Sequence, residues 1–203
     1  MLKIGLTGGI GSGKTLVSCL LRDFGAYIID TDEIAKSLTN IGGEALPKIV
    51  KVFGKRVIGS NGLLDRSWLR EQIFYDNSAR ASLESIMHPL ISYYSDMMLR
   101  QYVGLYVVFV VPLLVETTIW LDKVNRVCVV DCDKETQIRR LSERNLSLDM
   151  IKRIISIQSD RYARLKFADD IIMNDSGISK HEVFKQVKMK HNFWYMLSKK
   201  FLV

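Results

Sequence analysis

A chain of 203 residues, 48% hydrophobic and 25% charged, has the balance of an ordinary globular protein with enough apolar material for a full core. Its net charge of +7 suits an anionic partner (a nucleotide, a phosphorylated metabolite, a nucleic acid or an anionic membrane) without choosing among them. The three cysteines, Cys19, Cys128 and Cys132, form no CxxC pair and are expected as reduced core thiols of an intracellular protein, which argues against a disulfide scaffold.

The N-terminus, "MLKIGLTGGIGSGK", lacks the long apolar stretch of a signal peptide and opens on a strand, "LKIGL" (2–6). After a glycine-rich loop, "KTLVSCLLRDFG" (14–25) has helical apolar spacing and stops on Gly25. "AYIID" (26–30) is a second short strand. Residues 31–104 hold no strong strand and read as a helical insertion. "YVVFVV" (106–111), apolar on both faces, predicts a central parallel strand; the uncharged run around it is too short for a membrane helix and contains Pro112. "NRVCVVD" (125–131) and "ADDIIMN" (168–174) supply two more strands, flanking a basic helical segment at 143–166. "KHEVFKQVKMKHNFWYMLSKKFLV" closes the chain as a basic amphipathic helix with its lysines on a solvated face. This alternation predicts an α/β fold, a doubly wound five-stranded parallel sheet, in a soluble, cytoplasmic protein.

Gly8-x4-Gly13-Lys14-Thr15 matches the P-loop pattern in full, with a strand before it and a helix after it. Gly11, Ser12 and Gly13 let successive N–H groups converge on one anion, and Lys14, Thr15 and Leu16 open the following helix, whose N-terminus adds positive potential. In such a loop Lys14 can reach the β- and γ-phosphates of a bound nucleotide, and the Thr15 hydroxyl can ligate Mg²⁺. A dinucleotide fingerprint cannot be laid on this loop, because G-x-G-x-x-G fails from either Gly9 or Gly11.

The rest of the chain decides where a phosphate would go. A regulatory GTPase needs D-x-x-G and N-K-x-D strings that do not occur, and the third strand exits into Pro112 rather than the Asp-Glu of an ATPase motor. A small kinase needs a carboxylate near the acceptor hydroxyl and cations for the transferring phosphoryl group. "IIDTDE" offers Asp30 and Asp32, which share a face if the chain is extended there, with Asp30 also suited to cap a following helix. "QIRRLSERN" places Arg140 and Arg144 one helical turn apart, and "QSDRYARLK" does the same for Arg161 and Arg164; together they suit a lid that closes over ATP. A nucleic-acid-binding module is the competing class, but no aromatic residues interleave with the basic ones as a stacking platform.

Seven segments, "IGLTGGIGSGKT", "IIDTDEIA", "GLLDRSWLREQIF", "LESIMHPLI", "VVPLLVE", "VVDCDKETQIRRLSERN" and "IQSDRYARLKFADDIIMN", together resemble the dephospho-CoA kinase family over nearly the whole chain. The resemblance implies a P-loop kinase that phosphorylates the ribose 3′-hydroxyl of 3′-dephospho-CoA with ATP and Mg²⁺, giving CoA and ADP. It implies a nucleotide-binding core (1–30, 105–142 and 167–203), a helical acceptor-binding region (31–104) and a lid (143–166). Asp32 falls on the family's base, Lys14 on its P-loop lysine and Arg140 on a lid arginine. Arg66, His88, Pro112, Leu113 and Leu114 fall in acceptor segments, joined by Arg161, while Asn174 falls near the adenine of ATP and Arg144 on the nucleotide side. The expected partner is the small-molecule substrate, with no nucleic acid and no membrane; a monomer is expected, an oligomer left open. "NDSG" after the fifth strand is one residue longer than the family's usual loop.

Overall fold

The computed structural model describes residues 1–144 and 146–202, so Asn145 of the expected lid and the final Val203 lie outside the described residues. In chain order, β1 (Leu2–Thr7) leads through the glycine loop to α1 (Lys14–Asp23) and β2 (Tyr27–Asp30). Four helices follow, α2 (Thr31–Leu38), α3 (Ala45–Phe53), α4 (Arg66–Tyr75) and α5 (Asn77–Gln101). The chain then runs through β3 (Tyr106–Val110), α6 (Thr118–Leu121), β4 (Arg126–Asp131), α7 (Lys134–Ser142), α8 (Leu148–Ile157), α9 (Arg161–Lys166), β5 (Asp170–Met173) and α10 (Lys180–Ser198). It divides into two compact units, one of Met1–Asp30 with Tyr102–Val203 and one of Thr31–Gln101.

The first unit is built on a five-stranded parallel sheet of order β2-β3-β1-β4-β5. Parallel strands need crossovers, and the crossover helices cover both faces, so the strands must be apolar on both sides. Every residue of β3 is buried accordingly. Leu2, Ile4 and Leu6 of β1 join Val108, Val110, Cys128, Val130 and Ile172 against Val17 and Leu21 of α1 and Val183, Val187 and Trp194 of α10. The alternate residues, among them Ile29, Val107, Phe109, Val127 and Val129, are also buried, as the period-2 geometry of a strand requires. β1 lies at the centre of the sheet, so the glycine loop leaves the sheet from its middle, at the carboxyl edge where open α/β sheets bind ligands.

The second unit is helical. Ile34, Leu38, Ile49, Leu69, Met87 and Leu90 form the buried side of α2 to α5. Asp65 caps α4 by accepting from the Trp68 N–H at 2.9 Å. Pro89 lies inside α5, where its ring removes one backbone donor from the helix. Among the described residues, no helix is long and apolar enough to cross a membrane.

Two expectations of the sequence fail. Cys19 is exposed on α1 rather than in the core, because the helix turns Val17, Ser18 and Leu21 inward instead; Cys128 and Cys132 are buried, and burial pushes the Cys132 thiol up to about 11. The α10 lysines are also not all solvated. Lys190 donates to the buried Asp170 carboxylate at 2.8 Å, where Arg126 (3.0 Å) and the Trp194 indole (2.9 Å) converge as well. This cluster ties β4, β5 and α10 together.

Burial alone would raise the Asp170 pKa, but the hydrogen bonds from Lys190, Arg126 and Trp194 outweigh it and hold the carboxyl below its ordinary value. A depressed carboxylate stabilises the fold above its unfolded pKa, about 3.9, and the contribution disappears as pH falls through the folded value. Asp170→Asn should therefore lose about 2 kcal/mol at pH 7 and show a shallower loss of stability below about pH 4. Thermal unfolding followed by circular dichroism from pH 7 to pH 2 reads both effects; an unchanged melting temperature at pH 7 would remove Asp170 as the clasp.

Candidate functional site

The loop from Gly8 to Gly13 is folded so that its carbonyls are taken by side chains. The Lys14 ammonium donates to the Gly8 carbonyl at 2.7 Å and the Gly9 carbonyl at 3.2 Å. Gln137 of α7 donates to the Ile10 carbonyl at 2.6 Å. Arg140, one turn further along α7, donates to the Gly11 carbonyl at 3.0 Å and the Ser12 carbonyl at 3.4 Å. Asn174, at the carboxyl end of β5, donates to the Ser12 carbonyl at 2.6 Å and accepts from Arg140 at 3.3 Å. Five successive carbonyls are thus held by side chains; the Ser12 N–H turns back to the Gly9 carbonyl at 3.1 Å and the Ile10 N–H is held by Gln158 at 2.8 Å, so the loop is fixed in one conformation at the start of α1.

Two glycines are required by this packing. Gly13 has φ +99°, and a Cβ there would run into the Asn174 amide. Gly9 needs its bareness for a different reason, since a Cβ would overlap the Gln137 amide and press on the Arg164 guanidinium at 3.2 Å. Thr15 and Leu16 are exposed in the first turn of α1. Ser12 is buried, and its hydroxyl has no hydrogen-bond partner among the described residues.

That orphaned hydroxyl and the bare glycine cradle fit a phosphate chain, and Lys14 and Arg140 are the cations held against the loop. Among the described residues, no group of three or more His, Cys, Asp or Glu side chains could hold a metal ion. A Mg²⁺ held by one protein hydroxyl, phosphate oxygens and water is still in keeping with that ion, which retains most of its own water; Thr15 is the residue placed to supply the hydroxyl.

The other arginines behave differently. Arg144 does not share a helical face with Arg140, because α7 ends at Ser142 and Arg144 lies in the turn beyond, its N–H on the Leu141 carbonyl at 3.1 Å. Arg161 grips the buried Asp131 carboxylate through both Nε and NH2, at 3.1, 3.0 and 2.7 Å, and this pairing raises its pKa despite partial burial. Arg164 is buried and donates to the Ser159 carbonyl at 2.7 Å.

Pro112, Leu113 and Leu114 follow β3 in a short turn. The Pro112 carbonyl accepts from the Thr7 hydroxyl at 3.3 Å, one residue before the loop, and Leu114 is buried over Gly5, where a Cβ would meet it at 2.5 Å. In the helical unit, Asp32 is exposed in the first turn of α2. Because that helix begins at Thr31, Asp30 and Asp32 do not share an extended face; Asp30 ends β2 and Asp32 stands on the helix. Arg66, the first residue of α4, donates to the Thr39 hydroxyl at 2.7 Å, beyond the end of α2. With Arg70, Ile49, Leu69 and Met87, Arg66 lines a cavity of about 230 Å³. His88 is half-buried in α5, next to Pro89.

The sequence reading missed Gln137 and Gln158. Gln158 accepts from the Ile10 N–H at 2.8 Å, so both polar groups of Ile10 are held by glutamines from separate segments. Gln137 had a signal, since it lies three residues before Arg140 on one helical face; Gln158 had none.

A model of the dephospho-CoA kinase family matches residues 2–180. The chain is 46% identical to a dephospho-CoA kinase of Bordetella pertussis over 199 residues, covering 98% of this chain and 93% of that one. It is 49% identical to one of Burkholderia pseudomallei over 178 residues, covering 87% and 88%. Among solved structures, dephospho-CoA kinase from Campylobacter jejuni is similar with a TM-score of 0.68 at 25% identity, over 96% of this chain and 97% of that one. Shikimate kinase from Acinetobacter baumannii, at 14% identity and a TM-score of 0.56 over 98% and 95%, shares the fold alone. A parallel sheet of this order, with a phosphate loop rising from its central strand, places the protein among the P-loop kinases. Within that class, the chain belongs to the dephospho-CoA kinase family.

Gly9→Ala should displace Gln137 from Ile10 and weaken MgADP binding by about threefold to tenfold, the worth of one hydrogen bond. Gln137→Ala should match it. Calorimetric titration checks both, and unchanged affinity in both variants would mean that the loop holds its shape without the glutamine.

Proposed function

We propose that this protein transfers the γ-phosphoryl group of ATP to the ribose 3′-hydroxyl of 3′-dephospho-CoA, giving CoA and ADP. The observation that carries the reading is a phosphate-loop sequence, held in one conformation by side chains at the start of α1, in a chain that matches the dephospho-CoA kinase family from residue 2 to residue 180. In the transfer, the bond from phosphorus to the ADP oxygen breaks, a bond to the 3′-oxygen forms, and the hydroxyl proton leaves.

Phosphoryl transfer has a loose transition state, so positioning and charge carry most of the catalysis. Lys14, steadied by the Gly8 and Gly9 carbonyls, stands at the mouth of the loop and neutralises the leaving phosphates. Mg²⁺, held from the protein side by Thr15, would supply Lewis-acid neutralisation of the phosphate oxygens. Arg140 is held rigidly against the loop and offsets charge on the transferring group. Asp32 accepts the proton of the 3′-hydroxyl or orients it, and Arg66, His88 and Pro112–Leu114 hold the acceptor. Arg161, Arg144 and Asn174 line the same reading, Asn174 through the loop it clamps. The segment 143–166 acts as the lid that keeps water from the γ-phosphate.

Formation of CoA from dephospho-CoA and MgATP is the direct test, run beside nucleoside monophosphates and shikimate as competing acceptors. ADP release with one of those acceptors and not with dephospho-CoA would overturn the assignment. Arg140→Ala should lower kcat by about 10³-fold. Asp32→Asn should lower kcat by about 10²-fold or more while leaving ATP affinity near the wild-type value. Near-normal turnover in either variant would remove that residue from the chemistry.

A further inference from the structure

The joint between α8 and α9 is three residues long, Gln158, Ser159 and Asp160, and three separate parts of the first unit fasten to it. The Gln158 side chain accepts from the Ile10 N–H at the crest of the phosphate loop, at 2.8 Å. The Ser159 carbonyl accepts from Arg164 at 2.7 Å, the same guanidinium that stands over Gly9. The Ser159 N–H donates to Glu116 Oε1 at 2.8 Å.

Glu116 belongs to the turn that begins at Pro112, and its placement is firmly set. Leu114 is fully buried, Pro112 is tied to Thr7, and the Thr117 hydroxyl donates back to the Leu113 carbonyl at 2.9 Å. The backbone that carries Glu116 is therefore anchored on both sides of it, and its carboxylate meets Ser159 from that anchored turn. The second oxygen, Oε2, is buried with no donor among the described residues, so this carboxylate is not held in place as one half of a balanced ion pair.

We infer that Glu116 is a positioning residue for the nucleotide site: by fixing Ser159 it sets Gln158 against Ile10, and so carries the conformation of the Pro112–Leu114 turn to the phosphate loop. Glu116 touches no phosphate in this arrangement. Its effect passes through two backbone atoms and one amide side chain. The inference rests on the kinase reading for the identity of the nucleotide, but not on the identity of the acceptor.

The test uses the full-length protein and MgADP binding by calorimetry, which needs no acceptor and stays informative if dephospho-CoA is the wrong one. Glu116→Ala should weaken MgADP by about tenfold, Gln158→Ala by a similar factor, and the double variant by no more than the stronger single one. Glu116→Gln, which keeps an acceptor for the Ser159 N–H, should recover most of the affinity. A merely structural role would lower the melting temperature and leave MgADP affinity within twofold in the folded variants, and that outcome overturns the proposal. Independent, multiplying losses in the double variant overturn it as well. Should Glu116→Ala fail to fold, the same cycle run with Glu116→Leu, which fills the space but accepts no hydrogen bond, and Gln158→Ala decides. Coupled losses support the proposal, and full MgADP affinity in Gln158→Ala refutes it.

Discussion

A loop that offers its backbone N–H groups to an anion must have its carbonyls held somewhere else. Hydrogen-bonded neighbours normally do this within a helix or a sheet, but a loop of this kind has neither. Here the carbonyls of Gly8, Gly9, Ile10, Gly11 and Ser12 are all taken by side chains, from Lys14, Gln137, Arg140 and Asn174. Those donors arrive from three separate elements. Lys14 comes from the helix that follows the loop, Gln137 and Arg140 come from α7, and Asn174 comes from the end of β5. The sheet order β2-β3-β1-β4-β5 makes this possible, because β4 and β5 lie on one side of β1 and bring α7 and Asn174 to the loop.

The same constraint explains features that would otherwise look unrelated. Gly9 is bare so that Gln137 and Arg164 can approach the loop backbone. Gly5, two residues before the end of β1, is bare so that Leu114 can be buried over it. That burial fixes the turn after β3 next to Thr7, at the foot of the loop. The turn and the loop are thus braced against one another through β1, the most central strand, rather than through a flexible surface contact. A misplacement of about 1 Å in a phosphoryl-transfer site is felt strongly in rate, and bracing of this sort is how a short loop is kept within that tolerance.

Much of this was legible in the sequence, and the boundary between what was and what was not has a physical cause. The five strands are short apolar runs with β-branched residues, and the phosphate loop has fixed spacing; both are local signals. The family resemblance rests on several such segments together and was recovered by the comparison with known proteins. What the sequence misplaced depends on where a helix begins or ends and on which face it turns inward. The spacing of Asp30 and Asp32 suits an extended chain, whereas α2 begins at Thr31 and carries Asp32 in its first turn. Arg144 was read on α7, yet the helix stops two residues short of it. Gln158 was invisible because a glutamine in a three-residue joint carries no pattern, and only the fold brings it to Ile10. Lys190 looked like any other lysine of a basic helix until β5 placed Asp170 beneath it.

The arginines can be ranked by what they already hold. Arg161 faces a buried carboxylate through two nitrogens, so its charge is largely matched within the protein, and its effective field at the nucleotide is reduced. Arg140 is held by the carbonyls of Gly11 and Ser12 and by the Asn174 amide oxygen, which are dipoles and not charges. Those partners fix its position without neutralising its charge. A fixed, uncompensated cation in a half-buried site does not have to reorganise as charge develops on the transferring group, and this preorganisation is the source of most electrostatic catalysis. Of the four arginines that the sequence drew together, Arg140 is thus the one held against the phosphate loop by neutral dipoles, and Arg161 has a first task in holding α9 to the end of β4.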